Sequence, residues 1–293
     1  MPEGKILKAL SGFYYVISGS EIVQCRGRGV FRKNKITPLV GDEVVFQAEN
    51  EFEGYILEVK ERKNELVRPP IANVDQALLV FSAVEPSFST ALLNRFLVLV
   101  EYNNIQPLIV ITKMDLTNDK EKLQINKYAD EYRTIGYEVL LTSSETEAGL
   151  EELYPHLDGR ISVFAGQSGV GKSSLLNALK PDLDLKTDII SSHLGRGKHT
   201  TRHVELIKVA NGLVADTPGF SSLEFTEIEQ EDLNYCFPEF ELASENCKFR
   251  GCLHLAEPKC AVKSEVENGT IPEYRYSDYK DFIQEIRDRK PRY

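Results

Sequence analysis

The stretch Gly166-Gln-Ser-Gly-Val-Gly-Lys-Ser173, directly behind the apolar run Ile161-Ser-Val-Phe-Ala165, decides how the rest of the chain is read. It has the form G-x-x-x-x-G-K-S. Its glycines let the backbone turn tightly, so that the N–H groups of Gln167, Ser168, Gly169, Val170 and Gly171 can face phosphate oxygens. Lys172 then reaches the β and γ phosphates, and Ser173 offers its hydroxyl to Mg²⁺ with Ser174 beside it. A helix opening near Ser173 adds the positive end of its dipole. The apolar spacing of Leu175-Leu176-Asn177-Ala178-Leu179 supplies that helix, so the run predicts strand, phosphate loop and helix, and hence a nucleoside triphosphate site.

The chain of 293 residues is 42% hydrophobic and 27% charged, a composition that fits two or three globular domains. Met1-Pro2-Glu3-Gly4 does not begin a signal peptide, and no apolar run approaches the roughly 18 residues of a membrane helix. A cytoplasmic protein without membrane contact is expected. The five cysteines are Cys25, Cys236, Cys247, Cys252 and Cys260. The crowding of the last three points to metal in a reducing compartment. The net charge of −10 argues against indiscriminate nucleic-acid binding. Residues 1–67 are neutral, and within them Arg26, Arg28, Arg32, Lys33 and Lys35 share one short window.

Short β-type runs between turn residues fill Lys5 to Leu66: Gly12–Ile17, Ile22–Cys25, Glu43–Gln47 and Gly54–Val59. They predict a small β-barrel of OB type over residues 1–67. The basic window, with Phe31 inside it, suits phosphates and bases of RNA, and suits equally an edge strand guarded by charge. Arg68-Pro69-Pro70 reads as a linker. Beyond it the strands Gln76–Phe81, Pro107–Thr112, Tyr137–Thr142 and Ile161–Ala165 are apolar on both faces. They alternate with helices expected at Thr90–Glu101, Asp119–Thr134 and Gly149–Leu157, which predicts a parallel sheet covered on both sides.

Ligands of such sheets bind at the carboxyl ends of the strands. Thr112-Lys113-Met114-Asp115 stands at one such end. Asp115 can accept from N1–H and the N2 amino group of guanine, a donor pair that adenine lacks, and the stem of Lys113 can lie over the base. Ser143 and Ser144, after the next strand, suit the far edge of the base. Downstream, Leu194-Gly-Arg-Gly-Lys-His-Thr-Thr-Arg-His203 is glycine-rich and basic, and Thr200 or Thr201 can complete the Mg²⁺ shell when the γ-phosphate is present. Leu213-Val-Ala-Asp216-Thr-Pro-Gly219 supplies an Asp for Mg²⁺ through water and a Gly whose N–H senses the γ-phosphate. These are the parts of a GTPase switch.

Cys247, Cys252, His254 and Cys260 offer three thiolates and an imidazole, the ligand set of a closed, structural zinc site. Cys25 and Cys236 fall outside that spacing. Helical segments near Glu229–Phe237 and over Ile271–Arg289 flank the loop, and the tail to Tyr293 is either an RNA contact or a frayed end.

The base-reading tetrapeptide precedes the phosphate loop, a β-barrel stands in front and a Cys/His cluster behind. With these features the chain closely resembles the circularly permuted ribosome small-subunit-dependent GTPases of bacteria. The resemblance implies a multidomain protein with an OB-type barrel, a circularly permuted α/β P-loop GTPase domain over residues 68–228 and a helical zinc-binding domain over residues 229–293. It implies GTP hydrolysis with Mg²⁺, one structural Zn per chain, and binding of GTP, GDP and the 30S subunit with its rRNA. It further implies a role late in assembly of that subunit and stimulation by it; a monomer is expected. Two departures stand out. Thr112 replaces the commoner Asn, so a contact to the base is lost or taken over by a hydroxyl. Phe220 stands where many GTPases carry a water-orienting Gln, which predicts slow intrinsic turnover. The family carries a His in the matching basic loop, so His199 becomes the candidate for orienting water beside the catalytic Lys172; a solvated residue or an RNA contact are the other readings of His199. A rival class is a nucleotide-gated interaction protein whose partner is a protein or an envelope component. A zinc and nucleic-acid binding module is a third reading, opposed by the intact phosphate loop.

Overall fold

The structure is a computed structural model, and it describes residues 1–29, 31, 36–67, 69–181, 204–215 and 223–289. Its contacts divide the chain into two compact units. The first contains Met1–Leu78, Gly149–Ser168 and Lys172–Ser221; the second contains Leu79–Ala148, Gly169–Gly171 and Ser222–Tyr293.

In the first unit β1 (Glu3–Leu10), β2 (Phe13–Ser18), β3 (Glu21–Gly27), β4 (Glu43–Ala48) and β5 (Gly54–Val59) close into a barrel in the order β1-β2-β3-β5-β4. Alternation along the strands turns Ile6, Val16, Val23, Cys25, Val44, Phe46 and Ile56 inward, all buried. The β3–β5 pair is parallel, Cys25 opposite Gly54. A Cβ at Gly54 would lie 2.6 Å from Cys25 Sγ, so only glycine permits this approach. Burial pushes the Cys25 thiol up to about 11, as expected of an inert core cysteine.

One expectation for this segment is corrected, and one open reading is narrowed. The supposed linker is a small antiparallel sheet of β6 (Glu65–Val67) and β7 (Pro70–Ala72), with Leu66 opposite Ile71 and Ile71 bridged to Val40. Leu66 and Ile71 point to the same apolar face and are buried, which anchors the strands. Pro70, at the first position of β7, removes no essential ladder bond. Phe31 is 6% exposed, and its ring is spent on the core instead of on a base. The exposed Arg26 lays its guanidinium over the Phe13 ring, 4.8 Å from the centroid. Arg32, Lys33 and Lys35 lie outside the described residues.

The second unit holds strands in the order β10-β9-β8, and the first unit holds strands in the order β11-β13-β12. These strands are β8 (Gln76–Ser82), β9 (Gln106–Thr112), β10 (Glu138–Leu141), β11 (Ile161–Ala165), β12 (Leu206–Val209) and β13 (Gly212–Ala215). Every residue of β8 and of β11 is buried, the mark of strands covered on both faces. The β9–β10 and β11–β13 pairs are parallel, as expected. The edge is not: β12 pairs antiparallel with β13 through the two-residue turn Ala210-Asn211, with Ala210 at φ 50°.

Helices α1 (Thr90–Tyr102) and α2 (Asp119–Ile135) match the sequence reading closely. Ser89 caps α1 by accepting from Leu92 N, and Asn118 with Glu121 forms a capping box on α2. The helix expected over Gly149–Leu157 shrinks to one turn, α3 (Tyr154–Leu157). Pro155 is tolerated only in a first turn, so no helix can run through it. Helix α4 (Lys172–Leu179) follows the phosphate loop, opening one residue before Ser173.

The C-terminal segment belongs to the second unit. It holds a 3₁₀ turn (Leu233–Cys236), α5 (Pro238–Ser244), α6 (Ala261–Glu267) and α7 (Glu273–Asp288). The expected helix at Glu229–Phe237 is only that 3₁₀ turn, because Pro238 excludes helical geometry at Phe237. At the centre lies Arg275, fully buried. Its Nε donates to Glu239 Oε1 at 2.6 Å, its Nη2 to Glu239 Oε2 at 3.0 Å and its Nη1 to Asn94 Oδ1 at 2.8 Å. Tyr132 Oη donates to the same Asn94 oxygen at 2.7 Å, and the Phe237 ring faces the guanidinium at 4.3 Å. Burial alone would lower the pKa of Arg275, but the Glu239 carboxylate outweighs it and holds the group charged.

Candidate nucleotide site and metal centre

The phosphate loop leaves β11 with Gly166, Gly169 and Gly171 at φ 135°, 81° and 96°, angles that L side chains resist. Gln167, Ser168 and Gly169 are exposed, Val170 is buried under the loop, and Ser174 is half-buried. Ser173 is 7% and Lys172 5% exposed, both at the first turn of α4. Lys172 Nζ donates to Gly166 O at 2.8 Å and to Gln167 O. The ammonium thus rests on the carbonyls of the loop it is expected to serve. Burial lowers its pKa from 10.5 to about 8.

That shift predicts a proton linkage. As pH rises from about 8 toward 10.5 the nucleotide-free lysine goes from half to almost wholly neutral, and the phosphates of a bound nucleotide would restore its proton. Binding therefore takes up a proton in that window, and affinity falls as pH rises through it, by up to about tenfold per unit. Calorimetric GDP titrations above pH 8, in buffers of different ionisation enthalpy, should show this uptake. An enthalpy independent of buffer would count against it.

The base-reading segment bends sharply after β9. Lys113 sits at φ 58°, and Met114–Leu116 forms a 3₁₀ turn that exposes Asp115. Met114 N donates to Thr142 O at 3.2 Å, tying this turn to the loop after β10. Ser143 is buried; its N–H donates to Ala148 O at 3.0 Å and its hydroxyl accepts from Thr146 N at 3.1 Å, while Ser144 is half-buried. Thr112 is 2% exposed, and its Oγ1 lies 2.6 Å from Val170 O and 3.2 Å from Phe81 O. A hydroxyl has one proton, and the shorter contact takes it. Guanine's O6 and N7 offer only acceptors, so Thr112 Oγ1 cannot donate to them as well. In this structure the residue at the departure noted in the sequence clasps the phosphate loop. Lys113 Nζ completes the clasp, donating to Gly169 O at 2.9 Å and to Glu85 O. His199, Thr200, Thr201, Asp216, Gly219 and Phe220 lie outside the described residues.

Cys247, Cys252, His254 and Cys260 converge, with their ligand atoms all within 4.8 Å of one another. His254 Nδ1 is 3.3 Å from Cys260 Sγ and 3.7 Å from Cys247 Sγ, and the two sulfurs are 3.9 Å apart. His254 Nε2 faces Asn234 Oδ1 at 2.7 Å; a carbonyl oxygen only accepts, so the proton is on Nε2 and the Nδ1 lone pair points at the sulfurs. Burial pushes the Cys260 thiol up to about 12 and lowers the pKa of His254. Thiols gathered in this way without charge are a poor core, whereas a divalent cation makes them thiolates. Three sulfurs and one imidazole nitrogen fit Zn²⁺ with no position left for water. The orienting Asn234 carried no spacing signal in the sequence. Nor did Glu257, whose carboxylate accepts from Leu253 N at 3.0 Å and Leu255 N at 2.8 Å and so shapes the loop. Cys236 is buried apart from this cluster, its thiol pushed up to about 12 by burial.

A strand, phosphate loop and helix, with the loop clasped by the Thr112-Lys113 turn that comes earlier in the chain, define a circularly permuted P-loop GTPase. The RsgA GTPase family matches residues 59–226, and the RsgA N-terminal domain family matches residues 3–56. The small ribosomal subunit biogenesis GTPase RsgA of Bacillus cereus is 69% identical over 293 residues, and its namesake from Bacillus subtilis strain 168 is 67% identical over 298, each covering the whole of both chains. Among solved structures, that of YloQ, a circularly permuted GTPase, is 63% identical with a TM-score of 0.88, covering 100% of this chain and 97% of that one. YjeQ from Thermotoga maritima is 39% identical with a TM-score of 0.89, covering 99% of each. The chain belongs to the RsgA GTPase family and is a GTP hydrolase.

Proposed function

We propose that this GTPase binds the 30S ribosomal subunit through its rRNA, acts late in assembly of that subunit, and hydrolyses GTP faster when bound to it. The observation that carries the nucleotide part is the clasp of Thr112 and Lys113 on the carbonyls of Val170 and Gly169. It makes one assembly of motifs that are far apart in sequence and reversed in order. The ribosomal part is supported by full-length likeness to relatives named for small-subunit biogenesis. Among the described residues no helix is long and apolar enough to cross a membrane; in this reading the protein acts in the cytoplasm, as a monomer.

Asp115 reads the Watson–Crick edge of guanine, and Ser143 and Ser144 shape the loop beside it. The backbone N–H groups from Gly166 to Ser174 and the ammonium of Lys172 hold the phosphates. Mg²⁺ would be held by Ser173 and by Thr200 or Thr201, with Asp216 acting through water, and Gly219 would sense the γ-phosphate. Water attacks the γ-phosphorus in line, while Lys172 and the loop N–H groups stabilise the charge spreading over the departing phosphates. His199 orients that water. The barrel (residues 1–67) and the zinc domain (229–293) flank the GTPase domain (68–228) and grip the subunit, with Arg26 and Arg28 as phosphate contacts.

The test is GTP turnover with and without purified small subunits. Turnover should rise with subunits, and His199→Ala should lower the stimulated rate by roughly 10²-fold while GTP affinity stays near normal. A stimulated rate unchanged by His199→Ala would remove its role, and no stimulation by subunits would overturn the ribosomal reading.

A further inference from the structure

Helix α7 has contacts in two directions within the second unit. Toward the metal loop, Tyr276 Oη donates to His254 O at 2.7 Å and Tyr279 Oη to Leu253 O at 3.2 Å. In the other direction, the Tyr274 ring meets Tyr128 of α2 edge-on, with centroids 5.7 Å apart, and Tyr128 stacks on Phe88 at 5.5 Å and 26°. Phe88 also meets Phe81, near the end of β8, at 6.1 Å. It stands in the turn between β8 and α1 whose Glu85 carbonyl accepts from Lys113 Nζ. Pro86 Cδ of the same turn is 4.0 Å from the position of a Cβ on Gly169. Three rings thus form a column from the C-terminal helix to the turn on which the base-reading lysine leans, and that lysine also holds the phosphate loop at Gly169 O.

The seating of α7 is close to all-or-none. A guanidinium with no exposure is stable only when its partners are present together, because a half-paired buried charge costs more than either end state. Arg275, beside Tyr274 in the chain, joins α7 to Glu239 of α5 and to Asn94 of α1, and Asn94 Nδ2 in turn donates to Asp278 Oδ2 at 2.6 Å. A metal ion that closes the Cys247–Cys260 loop favours the seated helix through Tyr276 and Tyr279. A guanine nucleotide that needs Lys113 in place favours the seated column. Two ligands that stabilise one arrangement must each strengthen the other by the same factor.

We propose that Tyr274, Tyr128 and Phe88 are positioning residues for the guanine pocket, so that metal at the Cys247–Cys260 cluster and guanine nucleotide bind cooperatively. This rests on the guanine site proposed above. The test uses the full-length zinc-loaded protein in competition with a zinc-selective colorimetric chelator. Saturating GDP should raise zinc affinity by a factor in the usual range of such couplings, roughly 5- to 150-fold, and ADP, which chelates equally, should not. Tyr128→Leu should erase that factor while nucleotide-free zinc affinity stays within about twofold, a separation that a purely structural role would not give. If that variant does not fold, Phe88→Leu, at the column's far end, gives the same comparison. Equal zinc affinity with and without GDP in the wild-type protein overturns the proposal, as does full coupling in the variant. Calorimetry on the zinc-loaded protein is done first. Failure to bind GDP there would remove the guanine site itself, whereas GDP binding without effect on zinc removes only the coupling.

Discussion

Asp115→Ala is expected to weaken GTP binding by roughly 10²-fold or more while leaving the weak binding of ATP almost unchanged. The carboxylate can accept from both N1–H and the N2 amino group of guanine, and each hydrogen bond to a charged acceptor contributes about 1.5 to 3 kcal/mol. Asp115 is exposed in the nucleotide-free structure, so the lower part of that range applies: water already satisfies the carboxylate before the base arrives. Asp115→Asn is the sharper experiment. Its amide keeps one acceptor but turns an NH₂ toward the guanine amino group, two donors face to face. A base with a carbonyl oxygen in place of that amino group would be matched instead. Titration with GTP, ATP and xanthosine triphosphate should therefore show Asp115→Asn losing the first and gaining the third. If Asp115→Ala still preferred GTP over ATP as strongly as the wild type, the base would be read elsewhere.

The parts legible in the sequence were those whose chemistry demands a spacing. Gly166 to Ser173 could be placed as a loop after a strand because phosphate binding needs glycines at fixed offsets, and the Cys247, Cys252, His254 and Cys260 cluster because a tetrahedral site needs four donors on a short loop. The β-barrel and the buried strands followed from periodicities of two and from apolar runs. What escaped depended on a partner distant in sequence. Thr112 could be seen as unusual, but not as a donor to Val170 O, since nothing near it marks that carbonyl. Phe31, set among arginines, left base stacking open beside a charge-guarded edge strand; only the closed barrel shows that the core takes it. The β6–β7 pair was hidden because Arg68-Pro69-Pro70 has the composition of a linker while Leu66 and Ile71 carry the anchoring. Arg275 had left a signal. Buried Tyr279, Phe282, Ile283 and Ile286 form the apolar stripe of α7, and Arg275 occupies the next position of that stripe toward the helix start. A charge on an apolar stripe implies a buried partner, here Glu239.

Arg275→Leu is accordingly expected to destabilise the second unit by about 3 to 5 kcal/mol, the usual cost of leaving one member of a buried ion pair alone. Leucine fills much of the volume but leaves the Glu239 carboxylate, whose side chain is 9% exposed, and Asn94 Oδ1 without their strongest donor. The loss cannot be recovered by local repacking, because Phe237, Tyr132 and Tyr137 enclose the guanidinium with ring faces. Removing both charges should cost far less. In Arg275→Leu/Glu239→Leu no carboxylate is stranded, and an apolar pair of similar volume often equals a buried salt bridge. The chain has no tryptophan, so far-UV circular dichroism in guanidinium, which reports α1, α2 and α7 together, is the suitable probe of this unit. The single variant should shift the midpoint strongly downward, and the double variant should return most of the way. If the double variant were as unstable as the single, Glu239 would not be the partner that keeps Arg275 buried. The joint between α7 and the helices of the sheet would then have to rest on packing of the rings alone.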